Sequence, residues 1–565
     1  MRSHMAVLLT LAPLLLGGCL EHILSDLEPW LDTDASSGST SSTSWTVETT
    51  TDAAPTGGIQ TVTSATTSTG PDPVDMTTTT SGGDPEGPPP TAALSFEPAE
   101  LTMPGPSSAK IEVGETVMSA ILYLDGKIVA QGPPDSLTYT FEATSAALNG
   151  EYNFELLALD GQGGSVKTPA MLTVELPAHG TVRCTFQDKG VPVQSGVSSV
   201  VWADGYLAAL GLRDEGAGPR LALWGIDPVT CNQLWSRTID LWTLLPIKNQ
   251  PSSGAALALD ESGNFVIAGN LAQQGGVRPY VGLLRGDDRS LIWETLGEVG
   301  DQAAGVVRVR WPYEHIIMVG SRLTNANPPR YDALVKGYTT TGVIWEDMLR
   351  APFTPDELHK DETNKYSEHA LAVDVNPDTL EVIVVGEREF RPNNDPPVYS
   401  RTFTARYYPM GGRIGTWTSS GDYLLQDSAR SLRRCGDGFV AGGWASDSPP
   451  GSIRWPLARW LDAQGVSAGR HSEPFADTET AGADCDREGK VVNASTRTVG
   501  NQTDVVLHAS LLPQDPPVWQ AAYAGQGMGD DRAATLACDE WGYCAWGGYE
   551  RVDGKNRAIV QIHYP

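Results

Sequence analysis

Seven cysteines, nine histidines and 69 acidic side chains are the groups in this 565-residue chain from which chemistry would have to be built. The cysteines are scattered and no Cys-x-x-Cys occurs, so the paired spacing of a zinc site is missing. The histidines are dispersed and no His-Glu-x-x-His is present. Gly465-Val466-Ser467-Ala468-Gly469 matches the Gly-x-Ser-x-Gly pattern. It lies between two predicted strands, whereas a nucleophile elbow needs a strand-to-helix turn. Gly286-Asp287-Asp288 and Asn376-Pro377-Asp378 carry calcium-type oxygens but no twelve-residue loop pattern, so they read as turns. These residues predict no catalytic set, no metal site and no cofactor.

The elements that would position any site repeat. Ser252 to Asp301 holds four short apolar runs: Ala255 to Leu259, Phe265 to Ala268, Tyr280 to Leu284 and Leu291 to Trp293. Turn residues separate them, as strands require. A glycine closes the second run, and the same feature recurs at Gly211, Gly269, Gly320, Gly386, Gly443 and Gly548, with Ser495 in its place once. The steps are 58, 51, 66, 57, 52 and 53 residues. Seven four-stranded units at this period predict an all-β fold, a seven-bladed β-propeller, because no such unit can bury both its faces alone. Trp235, Trp293, Trp345, Trp417 and Trp519 mark five fourth strands, where a large ring suits packing between neighbouring sheets. The seventh unit ends at Pro565 without a fourth strand. An orphan strand, Thr181 to Phe186, precedes the first unit and is expected to complete the seventh and close the ring.

The N-terminal stretch is of another kind. Arg2 is followed by the apolar run Ala6 to Leu16, too short to span a bilayer, so it reads as a signal peptide. Its end, Leu16-Gly17-Gly18-Cys19, resembles the bacterial lipobox. That resemblance implies cleavage after residue 18 and lipidation of Cys19. Leu20 follows, where the enterobacterial sorting rule places Asp to retain a lipoprotein in the inner membrane; its absence implies the outer membrane or cell surface. From Asp32 to Thr91 the chain is mostly Ser, Thr, Gly, Pro and Asp, and no Lys or Arg occurs between Cys19 and Lys110. Such a stretch buries too little apolar surface to offset its ordering entropy, so residues 19–91 are expected to be a disordered tether. Its reach is roughly 40 Å. The arrangement resembles the tethers of myxobacterial surface lipoproteins. A net charge of −30 argues against nucleic acid as a partner, since binding phosphates needs clustered Lys and Arg.

Residues 92–178 carry alternating runs at Ile121 to Leu124, Tyr139 to Phe141 and Tyr152 to Leu156, with a hairpin signal at Asp125-Gly126. The segment resembles the immunoglobulin-like β-sandwich domains of bacterial surface proteins, which implies a spacer between tether and propeller (179–565). With Cys19 lipidated, six cysteines remain in an exported chain, and disulfides are permitted. Cys538 and Cys544 flank the first hairpin of the last unit. Cys435 and Cys485 hold equivalent places in units five and six. Cys184 lies in the closing strand and Cys231 in the turn before the outer strand of unit one. Those three pairs are the disulfide candidates.

Trp224-Gly225-Ile226-Asp227-Pro228-Val229-Thr230 followed by Leu234-Trp235 resembles the repeat of pyrroloquinoline-quinone propellers, well in the first unit and weakly elsewhere. Those dehydrogenases have eight blades and often adjacent cysteines, which this chain lacks. Propeller lipoproteins of the same repeat type act as assembly scaffolds. Loops Ser321 to Arg330, Glu387 to Ser400, Trp444 to Arg454 and Tyr549 to Asn556 are long and join second to third strands. The inter-unit loops Thr238 to Ser253 and Leu349 to Glu368 emerge on the same side, and the latter carries a helix-start signal at Thr354-Pro355-Asp356-Glu357. That side, with Trp242, Tyr366 and Trp455, is the candidate binding face. The expectation is a lipid-anchored, non-catalytic surface protein that binds or scaffolds a protein or glycan partner. The alternative is a propeller enzyme, a quinone-dependent dehydrogenase or a glycan hydrolase.

Overall fold

The computed structural model describes residues 90–565 except 145, 191–192, 217, 240–251, 274–275, 311, 327–328, 350–365, 391–398, 419–425, 447–453, 473–477, 487–488, 500–501, 511–517 and 526–529. The expected signal, Cys19 and nearly all of the tether lie outside the described residues, as do Trp242 and Thr354-Pro355-Asp356-Glu357. The described residues contain strands and two short 3-10 turns but no α-helix.

Two sheets occupy the first part. One joins Ala92–Glu97, Gly105–Val113 and Thr140–Ala143; the other joins Glu100–Leu101, Ser165–Val174, Gly150–Asp160, Val117–Leu124 and Lys127–Gly132, in those spatial orders. Their inward positions share one core, with Phe96, Phe141, Leu122, Phe154 and Leu172 buried in it. The Phe96 and Phe154 rings lie 4.3 Å apart. Asp125 and Gly126 take φ of 48° and 79°, the two left-handed residues that a tight hairpin needs.

Among the described residues, seven four-stranded antiparallel sheets follow. Sheet I is Gln194–Ala203, Tyr206–Asp214, Pro219–Ile226 and Gln233–Thr238. Sheet II is Ser252–Leu259, Phe265–Gln273, Gly276–Leu284 and Leu291–Leu296. Sheet III is Asp301–Arg308, Ile316–Ala326, Pro329–Thr339 and Gly342–Leu349. Sheet IV is Tyr366–Val375, Val382–Phe390, Tyr399–Tyr407 and Arg413–Thr418. Sheet V is Gln426–Cys435, Gly438–Ser446, Trp455–Leu461 and Ser467–Ser472. Sheet VI is Thr478–Cys485, Val491–Val499, Gln502–Ser510 and Trp519–Tyr523. Sheet VII is Arg532–Cys538, Cys544–Val552 and Lys555–His563, completed by Val182–Gln187 from before sheet I. Each sheet's first strand lies against the first strand of the next, and that of sheet VII lies against that of sheet I. The sheets thus form a closed cycle, an arrangement that fits a β-propeller.

The sequence explains the stacking. A separate apolar cluster fills each of the seven junctions between consecutive sheets. Second strands read as unbroken apolar runs because both their faces are covered. In sheet II, Phe265 and Ile267 point into the junction with sheet I, and Val266 and Ala268 into the junction with sheet III. The fourth-strand tryptophans sit at these junctions. Trp235 meets Phe265 at 5.9 Å, Trp293 meets Tyr338 at 6.0 Å, and Trp345 stacks on Tyr407 at 5.8 Å.

The recurring glycine has a steric cause. In every sheet the first strand carries a register shift opposite that position, for example between Ala303 and Gly305 against Gly320, or between Ala429 and Ser431 against Gly443. The bulge pushes a carbonyl into the space a side chain would need. A Cβ at Gly320 would lie 1.8 Å from the Gln302 carbonyl oxygen, and one at Gly443 would lie 1.7 Å from that of Ser428.

Candidate functional site

Strands alternate in direction, so the hairpins joining second to third strands and the connections between sheets emerge at one end of the ring. Two of the stretches expected there as long loops are paired strands instead. In sheet III the pairing runs past the last rung shared with the first strand, Asp301 opposite Arg322, to Leu323 opposite Tyr331 and Ala326 opposite Pro329. In sheet VII it runs past Arg532 opposite Tyr549 to Glu550 opposite Arg557, Arg551 opposite Asn556 and Val552 opposite Lys555. Asp553 and Gly554, with φ of 52° and 75°, close that hairpin. In sheets IV and V the second strands instead end level with the first, Phe390 opposite Tyr366 and Ser446 opposite Gln426, and the third strands begin at Tyr399 and Trp455. A two-stranded arm needs no apolar alternation to stay paired, which is why its polar residues read as loop.

Beneath this face lies a layer of buried charge. Its repeating position is the first-strand residue paired two places beyond the second-strand glycine. Asp301 occupies it in sheet III, Glu368 in sheet IV and Asp427 in sheet V, and all three are buried. Asp301 accepts from Arg322 Nε at 2.6 Å and from Lys336 Nζ at 2.8 Å, and Lys336 also reaches Glu346 at 3.0 Å. Burial would raise the Asp301 pKa, but these hydrogen bonds and charges hold it below the usual carboxylate range. Arg388 donates to Glu368 at 2.8 Å, and Arg459 pairs with Asp427, which also accepts the Thr402 N–H at 2.7 Å. Carboxylates locked this way serve badly as general acids or bases. They tie strands and neighbouring sheets together.

Sheet VII differs. Asp531 and Glu550 are both buried there, and burial, reinforced by the Glu550 charge, raises the Asp531 pKa. Asp531 accepts from the Gly525 N–H at 2.6 Å and the Arg551 N–H at 3.2 Å, and Glu550 accepts from Gln187 Nε2 at 2.7 Å. Neither carboxylate is exposed to a substrate. Above them opens a cavity of about 630 Å³, lined among others by Gln194, Asp530, Tyr549, Arg551, Lys555 and Asn556. It sits at the seam where sheet VII meets sheet I. Tyr549 crosses that seam over Gly196, where a Cβ would lie 3.7 Å from its own.

At the level three residues before the recurring glycine, the seven first strands contribute Val201, Ala258, Val307, Asp374, Arg433, Asp484 and Ala537. Asp374 accepts the Arg434 N–H of the next sheet at 3.0 Å, and Asp484 accepts the Cys538 N–H at 2.9 Å. Arg433 stands between them, with Nε 4.0 Å from Asp484, and its Nη2 reaches the Val200 carbonyl of sheet I at 3.5 Å. Burial, only partly offset by Arg433, pushes the Asp484 carboxyl up to about 6.

The six cysteines beyond Cys19 form three disulfides, Cys184–Cys231, Cys435–Cys485 and Cys538–Cys544. The first fastens the closing strand to sheet I, the second joins sheets V and VI, and the third spans one rung of sheet VII. Tyr366 opens the first strand of sheet IV, and Trp455, partly exposed, opens the third strand of sheet V. Ser467, the serine of the Gly-x-Ser-x-Gly match, begins a fourth strand and accepts from Arg459 Nη1 at 3.1 Å. In the Asp-rich turns, Asp288 accepts the Ser290 N–H at 2.7 Å and Asn376 accepts the Asp378 N–H at 2.9 Å. Among the described residues no group of three His, Cys, Asp or Glu is placed to hold a metal ion. The cavity residues escaped the sequence reading except for the stretch Tyr549 to Asn556, because the lining is assembled from three distant segments.

The chain matches no protein-family model and no curated protein. Solved structures similar to it include a protein of unknown function from Dyadobacter fermentans, at 10% identity over 68% of this chain and 98% of that one, TM-score 0.40. Sqt1 from Chaetomium thermophilum, bound to the N-terminus of the ribosomal protein L10, aligns at 10% identity over 68% and 100%, TM-score 0.36. BamB from Moraxella catarrhalis aligns at 11% identity over 84% and 98%, TM-score 0.23. At these values the likenesses carry no inference about what this chain binds.

Proposed function

We propose that this is a lipid-anchored protein of the bacterial outer membrane or cell surface. Cys19 carries the lipid, residues 19–91 are the tether, residues 92–178 an immunoglobulin-like spacer, and residues 179–565 a seven-bladed propeller that binds or scaffolds a protein or glycan partner without catalysis. The observation that carries the binding reading is the asymmetry of the ring's two ends. One end bears the projecting hairpins of sheets III and VII and a polar cavity, while the buried acids beneath it are engaged by backbone, cationic or, for Glu550, amide donors. A rigid closed scaffold presenting variable hairpins on one end suits recognition.

Two measurements test it. Cys19→Ala should release the protein from membranes, and continued membrane association would refute the anchor. A soluble form starting at residue 92 should capture a defined surface protein or glycan, and Leu323→Asp with Tyr549→Ala should abolish capture. A quinone spectrum in the purified protein, or turnover of a surface glycan, would replace this reading with the enzyme one.

A further inference from the structure

We propose that the seam cavity between sheets VII and I is a saccharide-binding site for an uncharged pyranose unit. This rests on the binding-face reading and names the ligand chemistry. The volume of about 630 Å³ lies within the range of ~300–1,000 Å³ typical of small-molecule sites. The lining decides the class. Its residues are Tyr549, Gln194, Asn556, Asp530, Arg551 and Lys555, types that offer an aromatic, amides, a carboxylate and two cations, beside one aliphatic residue, Val193. Too few aliphatic groups face it for a lipid. Asp530, with Asp531 and Glu550 buried behind, opposes a phosphate or other strong anion. Arg551 and Lys555 in the same lining oppose a metal cation. A polyhydroxylated ring matches what is left, since each hydroxyl both donates and accepts and the ring's C–H face stacks on an aromatic.

Arg551 Nη1 stands 3.7 Å from Asp530 Oδ2, and both side chains are about half exposed, at 49% and 39%. That separation exceeds hydrogen-bond reach. The two form an ion pair without a direct hydrogen bond, so neighbouring hydroxyls on one sugar ring can accept from the guanidinium and donate to the carboxylate. The frame is preset. The Arg551 N–H is held by Asp531 at 3.2 Å, Asp531 by the Gly525 N–H at 2.6 Å, and Tyr549 rests across Gly196.

The test is a titration of the full chain, in detergent, with methyl pyranosides of glucose, galactose, mannose and N-acetylglucosamine, followed by saturation-transfer NMR and calorimetry. At least one should bind. Tyr549→Ala should weaken it about tenfold, Tyr549→Phe should keep most of it, and Asp530→Ala should weaken it tenfold or more. Each variant's melting temperature is measured alongside, and Glu261→Gln at the opposite end of the ring is the control. The proposal is overturned if none of the four sugars binds, or if binding survives both Tyr549→Ala and Asp530→Ala in folded protein. Failure of all four sugars to bind the unsubstituted protein, with capture of a protein partner intact, would refute this inference and leave the binding-face reading standing. Sugar bound at the seam with no surface capture would support this inference and refute the other.

Discussion

Replacing Arg433 by Met should destabilise the ring in a pH-dependent way. Arg433 is the only cation among the seven first-strand residues at its level, flanked by Asp374 and Asp484. Both carboxyls are raised by burial and partly restrained by Arg433. Methionine keeps the apolar stem but strands two acids whose remaining donors are backbone N–H groups. Breaking a buried ion pair costs about 3–5 kcal/mol. Arg433 keeps 30% of its side-chain exposure and approaches Asp484 only to 4.0 Å, so about 2–3 kcal/mol is expected at pH 8. The sign with pH follows from Asp484. Its folded pKa of about 6 lies above the unfolded value, so the neutral form favours folding. That contribution is complete below pH ~4 and is lost as pH rises through about 6. Without Arg433 the pKa climbs further and the loss continues above pH 6. Urea midpoints of the two proteins should therefore converge near pH 4.5 and separate steadily towards pH 8. Arg433→Lys should recover part of the gap. A deficit of the same size at both ends of that range, or no deficit at pH 8, would show that Arg433 does not neutralise these acids.

The closing strand offers three further tests. Cys184 and Cys231, 47 residues apart, close a loop that the chain-entropy model values at about 4 kcal/mol, so Cys184→Ala with Cys231→Ala should lower the urea midpoint clearly. Deleting residues 181–187 should do so more severely; an unchanged midpoint in either case would mean that the ring does not depend on this seam. His563 is buried beside the closing strand, its Nδ1 2.8 Å from the Gly180 carbonyl, and burial pushes its pKa down to about 4. Folding thus favours neutral imidazole, so stability present above pH ~6.5 should be lost as pH falls towards 4, and His563→Gln should flatten that slope in acid melts. Gly443→Ala, whose Cβ would stand 1.7 Å from a carbonyl oxygen, should cost about 3 kcal/mol or more, whereas Ser495→Gly at the equivalent place in sheet VI should cost under about 1. Equal effects from those two would refute the steric account of the repeat.

The repeat was legible because it records a steric demand. A first-strand bulge recurs in every sheet, and in six of the seven glycine stands opposite it, with Ser495 in sheet VI, so the position shows in the sequence as a mark every fifty to seventy residues. The orphan strand was legible for a related reason: the last unit lacked one strand, and Thr181 to Phe186 had no other partner. The cysteine pairs followed once strands were numbered, since Cys538 and Cys544 occupy one rung and Cys435 and Cys485 end first strands in adjacent sheets.

What stayed hidden is polar. Asp301, Lys336 and Arg388 sit in strands where charge ordinarily faces solvent, yet all three are buried, each against an opposite charge from another strand of its own sheet. Nothing local marks such a residue: Asp301 and Lys336 are 35 positions apart and meet only once three strands are in register. The seam cavity is hidden further still. Gln194, Asp530 and Tyr549 become neighbours only when the seventh sheet returns to the first, so closure of the ring creates the site as well as the scaffold. That coupling predicts a hierarchy: damage to the closing strand should abolish sugar binding at the seam, while Tyr549→Ala should weaken binding about tenfold and leave closure intact. A site built on one hairpin alone would survive loss of the closing strand, and the two variants tell these cases apart.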